Sequence, residues 1–166
     1  CLRMSQQVGL RIYHYTPRSR KCMGRINVHL HGRARDAAFR IAISDYANRL
    51  AGDGVQLIEH QNRTEPGPYL KSIVEKFGAA SVIILEEKGE VIDSMGYAEK
   101  MKEWRLSSDD IHLVVGPPGG FAEHSDGMHS LSLGLITFPH ELAAVVLLEQ
   151  LYRACMIIKG SPYHRV

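Results

Sequence analysis

Apolar and polar positions along the chain follow two alternating periods. The stretch "RINVHLH" (Arg25–His31) alternates apolar and polar residues with β-branched ones among them, which predicts a strand ended by Gly32. Phe39, Ile43, Tyr46, Ala47 and Leu50 then recur at helical spacing, predicting a helix over Ala37–Leu50 with Asp36 as its N-cap. "AGDG" breaks that helix, "VQLIEH" (Val55–His60) reads as a second strand, "NRTEPGP" as a loop, and Tyr69–Phe77 as a short helix. "ASVIILEE" is a continuous apolar run, typical of a strand covered on both faces, and "KGE" turns the chain. Met95, Ala98, Met101, Lys102 and Trp104 predict a helix over Ser94–Arg105. "DIHLVVG" is the next strand, "GPPGGF" a loop, Glu123–Met128 a short helix, and "LSLGLITF" (Leu131–Phe138) the last strand. The final helix starts near His140 and runs to Ile158.

Strand and helix alternate with short connections. That pattern predicts an α/β fold with a parallel sheet and helices on both faces. A length of 166 residues suits one domain with a substantial core. Residues 1–24 break the regular pattern and are set apart as a basic N-terminal extension before a domain over 25–166, although "LRIYHY" offers an extra edge strand.

Composition narrows the class. Hydrophobic residues at 45% and charged residues at 23% are ordinary globular values. The most apolar run, Leu142–Ile158, is interrupted by Glu149, Gln150 and Arg153, so no membrane span is expected. Cys1, Cys22 and Cys155 form no metal-finger spacing and read as reduced thiols in an intracellular compartment. The histidines make no metal-ligand pattern, so no metal is expected; His29 and His31 share a strand face and read as structural.

Net charge is only +2, but its distribution is uneven. From Cys1 to Arg35 there is no Asp or Glu, while Arg3, Arg11, Arg18, Arg20, Lys21, Arg25, Arg33 and Arg35 are present. Three readings fit: an organelle transit sequence, an electrostatic arm for nucleic acid, or a solvated basic surface. The first would place the protein in a mitochondrial or plastid matrix, and the others leave it cytoplasmic. The chain opens on Cys1 rather than Met, which leaves room for an upstream part.

Two segments stand where an α/β sheet takes ligands, beyond the carboxyl ends of strands. "VVGPPGGF" is neither a phosphate loop, lacking Gly-Lys-Ser/Thr, nor a G-x-G-x-x-G turn. Gly116, Gly119 and Gly120 permit close backbone approach to an adenosine, or only a tight turn. In "SLSLGLITFPHEL", Gly134 inside the expected strand implies a close approach or a bend, and Pro139 forces an extended entry to the helix. In the final helix Leu142, Val145, Val146, Leu148, Leu151, Tyr152, Cys155, Met156 and Ile158 cover most of the circumference. Burial in a dimer interface is one cause of such a pattern. Glu149 and Arg153 stand at a spacing that pairs on one helix face.

"TFPHELAAVVLLEQLYRA" followed by "GSPYHRV" closely resembles the end of the large-subunit ribosomal RNA methyltransferase H family, small SPOUT-class enzymes that methylate N3 of a pseudouridine. The resemblance runs from about Gly24 to Arg165 and includes Gly32-Arg33, "IILEEKG" and "VVG". It implies a parallel-sheet α/β fold with a C-terminal deep trefoil knot, an obligate homodimer, and S-adenosyl-L-methionine as cofactor. Leu85, Gly116, Leu133, Gly134, Leu135, Ile136, Thr137 and Phe138 are expected to line that cofactor. Four positions depart from the family pattern: Pro117 where a second glycine is usual, Gly119 for an acidic or polar residue, Ala144 for an arginine, and Ser161 for a histidine.

The implied reaction is an in-line methyl transfer to an imide-like nitrogen of large-subunit rRNA, within the ribosome, which needs positioning and removal of a proton. Proximity contributes roughly 7–11 kcal/mol in the best cases, and a general base about 10²–10⁴-fold. Tyr163 offers a ring for a flipped base, and His164 the imidazole suited to a base or proton relay. Arg165 and Arg153 can hold phosphates or developing negative charge, and Tyr152 can orient the base. The tail is expected to close over a cofactor site formed with residues of a partner subunit. Two other readings stay open: a SPOUT-fold RNA-binding or ribosome-assembly factor without catalysis, and a generic nucleotide-binding α/β protein.

Overall fold

A computed structural model describes residues 23–60 and 65–164. The expected edge strand at "LRIYHY", Cys1, Cys22 and Arg165 lie outside the described residues. Five strands, β1 (Ile26–Leu30), β2 (Val55–Glu59), β3 (Val82–Val91), β4 (Ile111–Val115) and β5 (His129–Ser132), form one sheet in the order β2-β1-β4-β3-β5. Every pairing is parallel, as the alternation of strand and helix predicts. Four helices, α1 (Ala37–Leu50), α2 (Pro66–Phe77), α3 (Ser94–Leu106) and α4 (His140–Ile158), cover both faces.

Strand alternation divides the core. Ile26, Val28, Leu30, Leu113 and Val115 face α1, α3 and α4, where Ile43, Met101, Leu147 and Leu151 meet them. Val82, Ile84 and Val114 face α2, packing on Tyr69, Leu70, Ile73 and Phe121. The α2 side also holds a buried polar seam. His29 Nδ1 lies 2.8 Å from His60 Nε2, and His29 Nε2 lies 2.9 Å from His112 Nδ1. The ring of Phe77 stacks on His112 at 3.7 Å.

The helix caps act as the sequence indicates. Asp36 accepts from the backbone N–H of Ala38 and Phe39, and Asp93 from that of Gly96. Helix α2 begins at Pro66, earlier than the expected Tyr69, because a proline fits the first helical turn, where its missing N–H has no intrahelical partner. Strand β3 does not end at "KGE". Leu131 of β5 faces both Leu85 and Glu90, so the polar Glu86–Glu87–Lys88 triplet leaves the sheet and Glu90–Val91 return to the same short edge. The expected helix at Glu123–Met128 is a 3₁₀ turn over Ala122–Ser125.

The last strand is shorter than expected. It stops at Ser132, and the segment 133–139 is a loop. Gly134 is therefore not a strand residue; its φ of +149° is a conformation that side chains disfavour, and Ser132 holds it in a turn. Helix α4 buries Ala144, Leu147, Leu148, Leu151, Ala154 and Cys155 against α1 and α3. Leu142, Val145, Val146 and Met156 stay only half-buried in the single chain. Among the described residues no helix is long and apolar enough to cross a membrane, and no cluster of His, Cys, Asp or Glu could hold a metal ion.

Candidate functional site

At one edge of the sheet the ends of β4 and β5 meet the point in β3 where its regular pairing breaks after Leu85. Ile84 pairs with Val114 and Leu85 with Leu131, so Leu85, Gly116 and Leu133 lie within two residues of one level. This is the carboxyl edge, where open α/β sheets take ligands. Beyond β4, the Gly120 N–H donates to the Pro117 carbonyl at 2.9 Å, closing a turn with Pro118 and Gly119 at its centre. Gly116 stands under the Phe121 ring, and a Cβ there would come within 3.0 Å of it. Beyond β5, the Ser132 hydroxyl donates to the Gly134 carbonyl at 2.8 Å and accepts from its N–H at 3.2 Å. That turn projects Leu135 and Ile136 outward, 91% and 67% exposed. Thr137 is also exposed, while Leu133 and Phe138 are half-buried. Uncharged, largely apolar side chains standing free at strand ends form a surface suited to being covered.

The aromatic-basic tail lies elsewhere. After α4, Ser161 N–H donates to the Met156 carbonyl and folds the chain back along its own helix. The Tyr163 ring meets Tyr152 edge-on at 5.0 Å, the Arg153 guanidinium lies 5.1 Å from its centre, and its hydroxyl donates to Glu149 at 3.3 Å. Partial burial, with Tyr46 and Glu149 alongside, raises the Tyr163 phenol above its ordinary range. Arg153 is also paired with Glu149, and that hydrogen bond strengthens its charged form. The His164 Nδ1 atom is buried and has no hydrogen-bond partner among the described residues.

Tyr152, Arg153, Tyr163 and His164 are thus gathered on the C-terminal half of α4. From His140 to Tyr152 the helix rises about 18 Å, so this cluster stands far along α4 from the loop that feeds it. Among the described residues, the two halves of the expected site stand apart along α4.

The sequence reading passed over a third feature. Between the β1–α1 loop and the start of α4 lies a cavity of about 260 Å³, lined by His31, Arg33, Arg35, Pro118, His140 and Glu141. Its sequence signals are the acid-free stretch that ends at Arg35 and the Gly32-Arg33 pair that follows β1.

Comparison with known proteins covers the same ground. Residues 24–164 match the family model described as "Predicted SPOUT methyltransferase". Proteins named "Ribosomal RNA large subunit methyltransferase H" from two strains of Cereibacter sphaeroides are 37% and 36% identical to this chain, each alignment covering 81% of it and 95% of the relative. The protein of that name from Roseobacter denitrificans is 32% identical, with 85% of this chain and 99% of the relative aligned. The match takes in Leu85, the ends of β4 and β5, both loops and the tail through His164, and on that extent this chain belongs to the SPOUT methyltransferase family.

Proposed function

We propose that this methyltransferase transfers a methyl group from S-adenosyl-L-methionine to N3 of a pseudouridine in large-subunit rRNA, acting within the ribosome as a homodimer whose C-terminal segment is knotted. The observation that carries this reading is the pairing of an exposed, uncharged, apolar loop at the strand ends with an aromatic and basic tail on the last helix. The family membership and the relatives' names support the substrate class.

The residues fit the cofactor. Leu85, Gly116 and Leu133–Phe138 carry no charge, and apolar side chains beside glycine backbone suit an adenine ring and a thioether. When bound, S-adenosyl-L-methionine supplies an electrophilic methyl group. The chain's own groups do the rest. Tyr163, kept protonated, offers a neutral ring on which a flipped base stacks. Arg153 and Arg165 hold phosphate or the negative charge that develops on base carbonyls. The unpartnered Nδ1 atom of His164, buried in the single chain, is the acceptor for the proton leaving the base nitrogen once the tail meets its substrate. Because loop and tail are separated along α4, the tail that serves one loop comes from the partner chain. The half-buried apolar flank of α4 supports the same dimer. The protein would work where its ribosomes are, in a cytoplasm or an organelle matrix.

The test is transfer of tritiated methyl groups to naked large-subunit RNA and to assembled ribosomes, with the site located as a reverse-transcription stop. Label in a large-subunit pseudouridine is expected. A protein that binds S-adenosyl-L-methionine yet labels no large-subunit RNA in either form lacks the proposed activity. One that also fails to bind the cofactor is the non-catalytic RNA-binding or assembly factor that buried Pro117, with no N–H to offer, would favour.

A further inference from the structure

We propose that the cavity between the β1–α1 loop and the start of α4 is a phosphate-binding site for the substrate RNA, with Arg33 and Arg35 as its ligands. It rests on the RNA reading above and adds to it a contact outside both the cofactor edge and the tail.

Charge is the first argument. Both arginines line the cavity, and both are exposed. Two carboxylates stand nearby. Asp36 is not among the lining residues. Glu141, which is, lies 3.8 Å from His140 Nε2 and is also held by backbone donors, so two arginines face one carboxylate in the cavity. Glu141 accepts from the N–H groups of Arg35 at 2.8 Å and Asp36 at 3.2 Å. Asp36 accepts from those of Ala38 and Phe39. Among the described residues the Arg35 guanidinium makes no ion pair. Desolvation lowers the His140 pKa; neighbouring Glu141 opposes this, while His31 and Arg35 reinforce it. A neutral imidazole there still offers one N–H donor. Planar guanidinium forks match the geometry of a phosphodiester, which favours RNA backbone over other partners.

Rigidity is the second argument. The loop that carries the arginines is tied down at several points. The Arg40 side chain donates to the Ala34 carbonyl at 3.1 Å and the Arg35 carbonyl at 2.8 Å, and Glu141 clamps the Arg35 and Asp36 amides. Ala34 is buried beneath them. Little backbone ordering remains to oppose binding.

Position is the third. His31, His140 and Glu141 line both this cavity and a narrow cleft that Val115, Gly116 and Ala144 complete. A phosphate held by Arg33 and Arg35 would therefore lie beside the glycine loop. Backbone contacts of this kind set register while base contacts choose the target.

The test uses the full chain and isolated large ribosomal subunits, with affinity measured across a salt series. The double substitution Arg33→Gln/Arg35→Gln is expected to weaken binding at least tenfold and to lower the slope of log affinity against log salt by about 1.4, for two contacts to single-stranded RNA. S-adenosyl-L-methionine binding by calorimetry should not change. Arg33→Lys/Arg35→Lys should keep most of the slope. Lys102→Gln, which removes a charge paired with Glu99 on α3, should leave it intact. Arg35→Gln alone gives about half the effect and removes a side chain with no ion pair to lose, so a folding defect in the double variant does not obstruct the result. A Gln variant with wild-type affinity and slope overturns the proposal, even if the wild type methylates rRNA normally. A wild type that binds subunits through these arginines but transfers no methyl group upholds the cavity and sinks the methylation reading. One that neither binds nor methylates sinks both.

Discussion

His29 shows what a single residue costs and contributes in the sheet. It is 1% exposed, and burial, then the neighbouring His60, His112 and Lys76, lowers its pKa to about 3. Burial likewise lowers those of His60 and His112. With His29 neutral, one ring nitrogen donates and the other accepts, which lets it bridge both partners. The unfolded chain takes up a proton near pH 6.5, whereas the folded one resists down to about pH 3. In that window the unfolded state binds more protons, so stability is full above pH 6.5 and falls as pH drops toward 3. His29 alone accounts for a loss of about 2 kcal/mol between pH 7 and pH 5, and its two partners act in the same direction. Urea unfolding at those two pH values reads it directly; a stability that does not fall contradicts the assignment. The substitution His29→Leu should flatten the dependence. The strand period makes His29 legible as a structural residue. Its equivalent on the same face, His31, instead lines the basic cavity, because what a strand-end residue faces is decided by the loops folded over it.

At the scale of elements, the helices were legible because their signals are local. Asp36 shows this at α1, where the capping side chain and the apolar period agree. Asp36→Ala should lower stability by about 1 kcal/mol, or the melting midpoint by about 2–4 °C, in thermal unfolding. The end of β5 was not legible for a physical reason. "LSLGLITF" is apolar throughout, and such a run reads alike whether its side chains enter the core or stand free for a ligand. Only Leu131 and Ser132 of that run are buried; from Leu133 the chain turns out. The reason for glycine at position 134 also changes. Nothing lies within 4 Å of where its Cβ would be, so the need is conformational, a φ of +149°, and not lack of room. Gly134→Val should therefore cost little in thermal midpoint, because Leu135, Ile136 and Thr137 beside it stand outside the core and the loop can shift to relieve the strain. It should still weaken S-adenosyl-L-methionine binding tenfold or more, roughly 1.4 kcal/mol, by forcing the loop off its turn. Unaltered affinity in calorimetry would remove this loop from the cofactor site.

At the scale of the whole molecule, the arrangement of loop and tail is what the linear pattern could not supply. The tail's residue types were readable, but which loop they serve depends on how α4 is flanked. In one chain Tyr163 rests on Tyr152 and Arg153, about 18 Å along the helix from His140. A dimer that lays α4 of one chain against its partner can bring the partner's tail to the loop. Val146, half-buried, is the position where a charge would test that interface; Leu148 is sealed in the chain's own core, and a charge there would unfold it first. A complementation experiment separates the two arrangements. One chain lacks Tyr163–Val166 and keeps its loop; the other carries Gly134→Val and keeps its tail. With S-adenosyl-L-methionine kept well below saturation, each alone should show about a tenth of wild-type methyl transfer or less. Unfolded together in equal amounts and refolded, half of the dimers are mixed, and each mixed dimer has one site with an intact loop and an intact tail. Activity should return to about a quarter of the wild-type value, the fraction of whole sites in a random two-fold assembly. If each tail served its own loop, no mixture would contain a complete site. Activity would then stay at the level of the separate variants, and the shared site would be ruled out while cofactor binding by the tail-deleted chain remained intact.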